Sequence, residues 1–161
     1  MGKLLILAAL LQIGLSAAAA DDGSKTSNDA YGSVGLGVII GEPTGISFKG
    51  WLGSKSAIDA AVAWSFEKHA RLHIHADYLL HTFNLIPVEK GRLPMYYGIG
   101  GRFTFREDDH DDLIGIRFPI GLEYLFDELP LDIFLELVPV LDLAPKTEVD
   151  FNGAIGIRYV F

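Results

Sequence analysis

Residues 113–125 read LIGIRFPIGLEYL, and the character of the side chains alternates from one residue to the next. Large apolar side chains occupy every second position, whereas the positions between them hold glycine, proline, Arg117 and Glu123. A strict period of two is the spacing of a β-strand, whose successive side chains point to opposite faces. This stretch therefore predicts a strand with one apolar face and one polar, glycine-containing face.

The same pattern recurs along most of the chain. No stretch beyond the first 20 residues shows the 3.6-residue stripe of an amphipathic helix. The connections between alternating segments are rich in Gly, Pro, Ser, Asp and Lys, which are typical of turns. We predict eight strands, at residues 31–40, 44–52, 57–66, 71–80, 95–106, 113–125, 131–142 and 149–161.

The two strand faces differ in volume and in charge. One face is almost entirely large and apolar, whereas the other combines ionic side chains with many of the 18 glycines in the 161 residues. Eight strands close into a barrel whose interior is only just wide enough for side chains to fill. The large apolar set cannot fit there, but long polar side chains beside glycine can. The apolar face is therefore predicted to point outward, into lipid.

Two soluble folds are the alternatives. A soluble lipid-binding barrel would place polar side chains outside and apolar ones within. A β-sandwich would bury the apolar face between two sheets and leave many glycines on exposed strands, which weakens them. In hydrocarbon every backbone N–H and C=O must be paired, so the sheet must close. The sequence thus predicts an all-β fold, a closed eight-stranded antiparallel up-and-down transmembrane β-barrel over residues 31–161.

The first residues predict export. Residues 1–20 read MGKLLILAALLQIGLSAAAA, with a basic Lys3, an apolar core and a small-residue site before Asp21. This is the pattern of a cleaved signal peptide. Residues 21–30 (DDGSKTSNDA) are polar and without period, which predicts a disordered tail. The chain has no cysteine, which excludes disulfides, and a net charge of −8, which argues against a nucleic-acid partner.

Two features depart from ideal strands. Pro119 and Pro139 lie inside predicted strands, where each removes a ladder donor, so we expect local bulges there. The connection after residue 80 is long for the periplasmic side, where turns are usually short. We expect the fourth and fifth strands to continue past the membrane as a hairpin, through about Ile86, with its turn near Glu89-Lys90-Gly91.

Several stretches resemble known proteins. The last, VDFNGAIGIRYVF at 149–161, ends in Phe with apolar residues at alternating positions before it. With this terminus, the chain resembles the small eight-stranded outer-membrane barrels of the OmpA/OmpX type. It is also similar to a family of uncharacterised bacterial outer-membrane barrels, through GLGVIIGEPTGISFKGWL (35–52), IDAAVAWSF (58–66), LHIHADY (72–78) and YYGIGG (96–101).

The resemblance implies a location and partners but no established activity. It implies the bacterial outer membrane, contact with outer-membrane lipids and lipopolysaccharide, and a monomeric state. The barrel-assembly machinery would read the last strand through Phe161, Tyr159 and Ile157. Nothing in the resemblance implies a cofactor.

Ionic side chains on the polar face predict a network inside the barrel. Buried charge is tolerated only when it is paired. A narrow lumen filled in this way should be plugged and should not conduct solutes, because a pore needs more strands. The predicted network comprises Arg71, His73, His75, Asp77, Arg102, Arg117, Glu123, Glu136, Asp150 and Arg158, with Asp59 as a further carboxylate that could pair with the arginines.

Three of these residues permit a second interpretation. His73, His75 and Asp77 alternate along one strand and so face the interior together. Two imidazoles and a carboxylate are ligands that Zn²⁺ accepts. Side chains two residues apart on a strand are about 6.5–7 Å apart, however, which strains chelation by adjacent members. We favour the ionic network over a metal site.

The densest charge run is EDDHDD at 107–112, which strand parity places on the extracellular side. Its carboxylates could bind Ca²⁺ or Mg²⁺, or meet the ion-bridged phosphates of lipopolysaccharide. The run lacks the Gly and the spacing of an EF-hand loop. We interpret it as a solvated hairpin loop, and keep as weak metal candidates Asp108, Asp109, Asp111 and Asp112.

Function is the least determined property. We favour a non-enzymatic, plugged barrel that serves envelope integrity or surface interaction. Ser65, His69 and His81 suggest a lipid A or phospholipid modifying enzyme in the same barrel, but no triad spacing or oxyanion motif is visible, so no catalytic residue is assigned. A soluble periplasmic lipid-binding β-barrel is the third hypothesis.

Overall fold

The computed structural model describes residues 33–42, 44–65, 71–106 and 112–161. Their regular structure is a single antiparallel sheet. None of the described residues belongs to a helix long and apolar enough to cross a membrane. The strands are β1 Val34–Glu42, β2 Thr44–Trp51, β3 Ser56–Ser65, β4 Arg71–Ile86, β5 Leu93–Arg106, β6 Leu113–Arg117, β7 Ile120–Leu125, β8 Leu131–Ala144 and β9 Glu148–Val160.

The sheet closes into a ring. Apart from β6 and β7, strands that follow one another along the chain pair with one another, and β9 returns to pair with β1, with Leu36 opposite Tyr159. β6 and β7 share one position between β5 and β8, so the ring passes through eight positions. The predicted all-β, antiparallel, up-and-down arrangement is confirmed. We call the end of the ring where β1 begins and β9 ends the proximal end, and the opposite end the distal end.

The strands are strongly staggered around the ring. Following paired residues from Leu36 through β2 to β8 leads to Val149 on β9, whereas Leu36 itself pairs with Tyr159, ten residues further along. For eight positions, a stagger of this size corresponds to a strand tilt of about 40°. The ring is therefore narrow, and side chains that point inward from opposite strands come within contact distance.

The sixth predicted strand is divided. Two prolines lie side by side there, and each replaces a backbone donor. Phe118 N–H donates to the Pro139 carbonyl at 2.9 Å, and Gly98 N–H donates to the Pro119 carbonyl at 2.9 Å. The second hydrogen bond that such antiparallel pairs exchange is missing in both, because proline has no N–H. The strand is consequently interrupted at Phe118 and Pro119.

The bulges expected at the prolines are a wrong prediction. Arg117 pairs with Val140 and Ile120 pairs with Leu137, so three residues separate the two pairs on each strand and the register is unchanged. One register shift lies instead between Thr82 and Ile86 on β4, and a second lies between β6 and β8 near Gly115. The lost donors weaken the ladder locally, but the flanking pairs hold its alignment.

The β4–β5 connection has the predicted form. β4 continues to Ile86 and β5 begins at Leu93, so the two strands extend as a hairpin whose turn includes the predicted Glu89-Lys90-Gly91. Asn84 has a φ of 67° in the shifted segment. This left-handed conformation is one that Asn tolerates better than most residues. The hairpin projects from the proximal end of the ring.

The facing of the side chains is inverted relative to a soluble protein. Apolar side chains on the outer face remain exposed, to 67% at Leu137 and 74% at Phe151, whereas Arg158 on the inner face is 1% exposed and Glu123 0%. This is the facing that the volume argument predicts. The exposed outer set includes Leu36, Val38, Ile40, Ile46, Phe48, Ile58, Tyr78, Leu80, Tyr97, Ile99, Phe118, Ile120, Ile133, Leu135, Ile155 and Ile157.

Glycines on the inner face make room for large side chains. A Cβ at Gly121 would collide with the ring of Tyr96 and would stand 2.6 Å from the Leu135 carbonyl. A Cβ at Gly156 would collide in the same way with the ring of Phe134. Both aromatic residues are almost fully buried. The inward aromatic rings thus occupy space that only glycine leaves open.

We expect Gly121→Ala to lower the free energy of unfolding by about 1–3 kcal/mol, because the new methyl group overpacks both a side chain and a backbone carbonyl. Urea titration in detergent micelles, followed by tryptophan fluorescence, measures this change. Gly153→Ala is the matched control, since its Cβ would meet nothing closer than 3.7 Å. Equal stability of the two variants would contradict the packing described for Tyr96.

Candidate functional site

The candidate site is the polar interior of the ring. Strand alternation brings the inward side chains of all eight positions together, and charged groups among them are less than 9% exposed. Their contacts fall into three groups that follow one another from the proximal to the distal end. The buried ionic side chains of the described chain include Lys49, Asp59, His75, Asp77, His81, Arg102, Arg117, Glu123, Asp132, Glu136, Asp142 and Arg158.

Glu123 on β7 is the centre of the proximal group. One carboxylate oxygen accepts from Lys49 Nζ at 2.5 Å and lies 3.2 Å from His81 Nε2. The other accepts from Arg158 Nη2 at 2.5 Å. Lys49 Nζ also lies 2.8 Å from His81 Nε2. Glu123 thus connects side chains from β2, β4 and β9, which are not its neighbours in the sheet.

Arg158 on β9 completes the proximal group. Its Nε donates to Asp132 at 2.9 Å and its Nη1 donates to Asp59 at 2.9 Å, in addition to the contact with Glu123. The guanidinium carbon lies 4.2 Å from the centroid of the Phe134 ring. A guanidinium suits this position because its donors are fixed in a planar fork. One arginine therefore joins β3, β7 and β8 through the centre of the ring.

Arg117 on β6 forms the middle group. Its Nε lies 3.0 Å from both oxygens of Asp77, and its Nη2 donates to Glu136 at 3.3 Å. The Tyr96 hydroxyl donates to the other oxygen of Glu136 at 3.0 Å. The middle group thereby connects β4, β5, β6 and β8.

Arg102 on β5 forms the distal group. It makes a bidentate contact with Asp142, with Nε at 3.0 Å and Nη2 at 2.5 Å from the two carboxylate oxygens. The same Nη2 donates to Asp150 at 3.1 Å, and Nη1 donates to the side-chain carbonyl of Asn152 at 3.4 Å. The Asp150 side chain is half exposed. This group therefore extends to the distal mouth.

Aromatic rings lie on the proximal side of this first group. The Trp51 and His81 rings have centroids 4.4 Å apart, and Phe83 lies 6.3 Å from each of them. Lys49 Nζ is 4.5 Å from the centroid of the Trp51 ring. His81 also faces Tyr96 at 5.4 Å. These rings cover the ionic interior at its proximal end.

Ion pairs in the interior connect different strands of the ring. Among the described residues, each of the four buried Lys and Arg side chains contacts at least one carboxylate on another strand, and several of the contacts cross the ring. Such pairs stabilise one arrangement of the ring, because moving a single strand would leave a charge buried without its partner. This geometry therefore supports a structural role for the buried ion pairs.

Most members of the predicted network take part in these contacts. Asp77, Arg102, Arg117, Glu123, Glu136, Asp150 and Arg158 form the ion pairs described above. His73 Nδ1 lies 2.9 Å from the Thr104 hydroxyl. His75 is buried and lies opposite Arg102 in the register. The side chain of Arg71 lies outside the described residues.

Sequence reasoning omitted several residues that take part in these contacts. Lys49 and Asp132 occupy polar-face positions of their strands, so their phase alone could have found them. His81 was missed because β4 continues beyond the predicted segment at 71–80. Tyr96 lies within the predicted fifth strand, but it was left out because only ionic side chains were considered. Asp142 keeps the phase of Asp132 and Glu136 along β8, so alternation could have placed it on the inner face as well.

Other candidates fall mostly outside the structure's description. Of the possible metal ligands, Asp108, Asp109 and Asp111 lie outside the described residues, whereas Asp112 is partly buried at the start of β6. Within the described ranges, no three His, Cys, Asp or Glu side chains are placed to hold a metal ion. The side chain of Ser65 and all of His69 are also outside the description.

The predicted assembly signal lies on the outer face. Phe161, Tyr159 and Ile157 are all exposed, and the first two rings pack edge to face with centroids 5.0 Å apart. Phe161 N–H donates to the Val34 carbonyl at 2.8 Å, so the end of the chain is hydrogen-bonded to the start of β1. The last strand therefore closes the ring.

The fold and interior described so far define a class, the closed antiparallel β-barrel with an ionic core. The crystal structure of the N-terminal β-barrel domain of Pseudomonas aeruginosa OprF is similar to this chain, with a TM-score of 0.57 and 13% sequence identity. The match covers 80% of this chain and 95% of the OprF domain. No family profile and no curated protein sequence matches the chain. The similarity therefore establishes a β-barrel fold of the OprF type.

Proposed function

We propose that this protein is a non-enzymatic outer-membrane barrel with a plugged interior, which serves the integrity of the envelope or presents its distal loops to the surroundings. The observation that carries the proposal is the inverted facing, with apolar side chains exposed around the ring and paired charges buried within it. Water would penalise such an outer surface, whereas lipid would stabilise it. The β-barrel fold shared with the N-terminal domain of OprF is compatible with this proposal.

The outer surface carries an apolar band with aromatic side chains toward both of its ends. Aromatic side chains lie toward its two ends: Tyr97, Tyr124, Phe126, Tyr159 and Phe161 toward the proximal end, and Trp64, Phe103, Phe105 and Phe151 toward the distal end. Apolar side chains such as Leu135 and Ile155 lie between them. Flanking aromatic girdles around an apolar band are the mark of an outer-membrane barrel. The proximal end, where β1 begins and β9 ends, would face the periplasm.

Three properties follow from the proposal. The signal peptide at 1–20 would direct export, and the exposed last strand, ending in Phe161, would be recognised by the barrel-assembly machinery. The surrounding ligands would be outer-membrane lipids and lipopolysaccharide. A single barrel would need no second copy to complete its sheet, because each of the eight positions in the ring pairs with a neighbour on both sides.

Membrane fractionation tests the location. The mature protein should sediment with the outer membrane, require detergent for release, and migrate differently on a gel before and after heating, because the closed barrel resists unfolding by the detergent. A mature protein that stays in the aqueous phase without detergent, and whose mobility does not depend on heating, would show that the outer surface is not a lipid-facing one.

Conductance and lipid analysis test the role. In planar bilayers we expect no steady ionic current. The three ionic groups, together with the rings of Trp51, His81 and Phe83, would block the narrow interior. The profile of lipid A and phospholipids should be the same with and without expression of the protein. Stable large-conductance openings would contradict the plug, and a new acyl pattern in lipid A would establish an enzyme.

A further inference from the structure

The hairpin between β4 and β5 exposes apolar side chains at the proximal end. β3 pairs with β4 only as far as Ser56 opposite Leu80, and after the hydrogen bond from His81 N–H to the Lys55 carbonyl the described residues place no further strand beside β4 on that side. Beyond this point Leu85 is 55% exposed, Ile86 37% and Val88 38%. Apolar side chains grouped in this way at a turn are a mark of contact with another molecule.

Several hydrogen bonds hold this hairpin to the neighbouring β7–β8 turn. Gly91 N–H donates to the Asp127 carboxylate at 2.7 Å, and the Tyr124 hydroxyl donates to the Lys90 carbonyl at 2.9 Å. Arg92 and Leu125 exchange both backbone hydrogen bonds, at 2.9 and 2.8 Å. Residues 83–92 and 126–130 therefore form one surface, which we call the proximal platform. It also exposes the apolar side chain of Leu129.

The register places the platform at the depth of lipid headgroups. Ile86 pairs with Leu93, four residues before the outward Tyr97 on β5. With about 3.3 Å per residue and a tilt near 40°, Ile86 lies about 10 Å to the periplasmic side of Tyr97. The bridge between Arg92 and Leu125 sets the base of the hairpin level with the aromatic girdle at Tyr124. A headgroup layer is about 5–8 Å thick.

We propose that the proximal platform is a second membrane-contacting surface, on which Leu85, Ile86, Val88 and Leu129 insert among the phospholipids of the periplasmic leaflet. This inference rests on the proposed outer-membrane location. Phospholipid is favoured over a protein partner because the platform is continuous with the lipid-facing girdle, to which the Tyr124 hydrogen bond joins it.

The charge at the platform fits a phospholipid surface. Lys90 Nζ lies 3.6 Å from Glu128, and both side chains are 82% exposed. An exposed pair of this kind contributes little to stability, so its ammonium group can exchange the carboxylate for a lipid phosphate. The platform thus offers apolar side chains for the acyl boundary and a cation for the headgroup, as interfacial protein segments do.

Single cysteine variants test this contact directly, since the chain has no cysteine of its own. Leu85→Cys and Val88→Cys would carry a nitroxide label in vesicles of phosphatidylethanolamine and phosphatidylglycerol. Collision rates with oxygen, which concentrates in lipid, and with a water-soluble nickel chelate report the depth. Leu137→Cys on the barrel wall is the lipid reference, and Ser54→Cys in the exposed β2–β3 turn is the aqueous reference.

We expect the labels at 85 and 88 to favour oxygen over the chelate severalfold more than the label at 54, and less than the label at 137. Labels at 85 and 88 that match position 54 would show a water-facing platform and overturn the inference. Labels shielded from both reagents would show a protein contact and overturn it as well. If the label at 137 itself favours the chelate, the proposed membrane location fails, and the platform inference fails with it.

Discussion

Arg158→Leu is expected to lower the free energy of unfolding by about 3–5 kcal/mol. The substitution keeps an apolar contact with Phe134 but removes the guanidinium that touches Asp59, Asp132 and Glu123 together. Three carboxylates would then share a closed interior with Lys49 as their nearest cation in the proximal group. Urea titration of the refolded protein in lipid vesicles, read by circular dichroism and by heat-dependent gel mobility, measures the loss.

Two further variants make this result interpretable. Arg158→Lys keeps the charge but loses the fork of donors, so it should retain part of the stability. Arg158→Leu combined with Asp132→Leu removes a partner as well, and should recover part of the loss through coupling between the two sites. Lys90→Ala, which removes a fully solvated pair, should change stability by less than about 1 kcal/mol. If Arg158→Leu costs no more than Lys90→Ala, the ionic interior does not hold the ring together.

The second large effect is expected on the outer surface. Leu137→Arg should make folding into vesicles less favourable by about 2–4 kcal/mol, because it places a guanidinium in the apolar band between the two aromatic girdles. Leu137 is among the most exposed apolar residues of the described chain, so the loss cannot come from a disrupted core. Reversible folding into vesicles of fixed acyl length, followed by tryptophan fluorescence, gives the free energy.

Depth supplies the control for this prediction. Leu143→Arg changes a similarly outward leucine near the distal end of β8, where the expected cost falls to about 0–1 kcal/mol. In a soluble protein, an arginine at either position would be neutral or would improve solubility, because both would face water. Equal and small effects at the two positions would therefore remove the main support for a lipid-facing band.

The facing of the sheet was predictable from particular residues. Residues 113–125 alternate so strictly that the pattern of this segment alone places Ile116 and Ile120 on one face of the sheet and Arg117 and Glu123 on the other. Because a strand has a period of two, this assignment needs no knowledge of neighbouring strands. The volume of the apolar set then decides which face is outside. The prediction for the prolines was wrong because it considered one strand at a time, whereas the register is held by pairs on both sides.

The contacts within the interior were less predictable. The sequence identifies which charges point inward, but their pairing depends on the stagger of ten residues around the ring, which brings Lys49 of β2 to Glu123 of β7. Asp150 was grouped correctly with the polar face, yet only the structure shows that it lies at the mouth and shares Arg102 with Asp142. Trp51 gave no signal as a cover for the interior, because its partners lie on other strands.

The sequence by itself determined the strand period, the two faces and the side that must meet lipid, because these depend on local geometry and on the volume of side chains. Only the tertiary structure decided where the ring closes, which carboxylate each arginine reaches and how the β4–β5 hairpin is fastened. Those features depend on stagger and tilt, which are properties of the whole ring and are not encoded in any one strand.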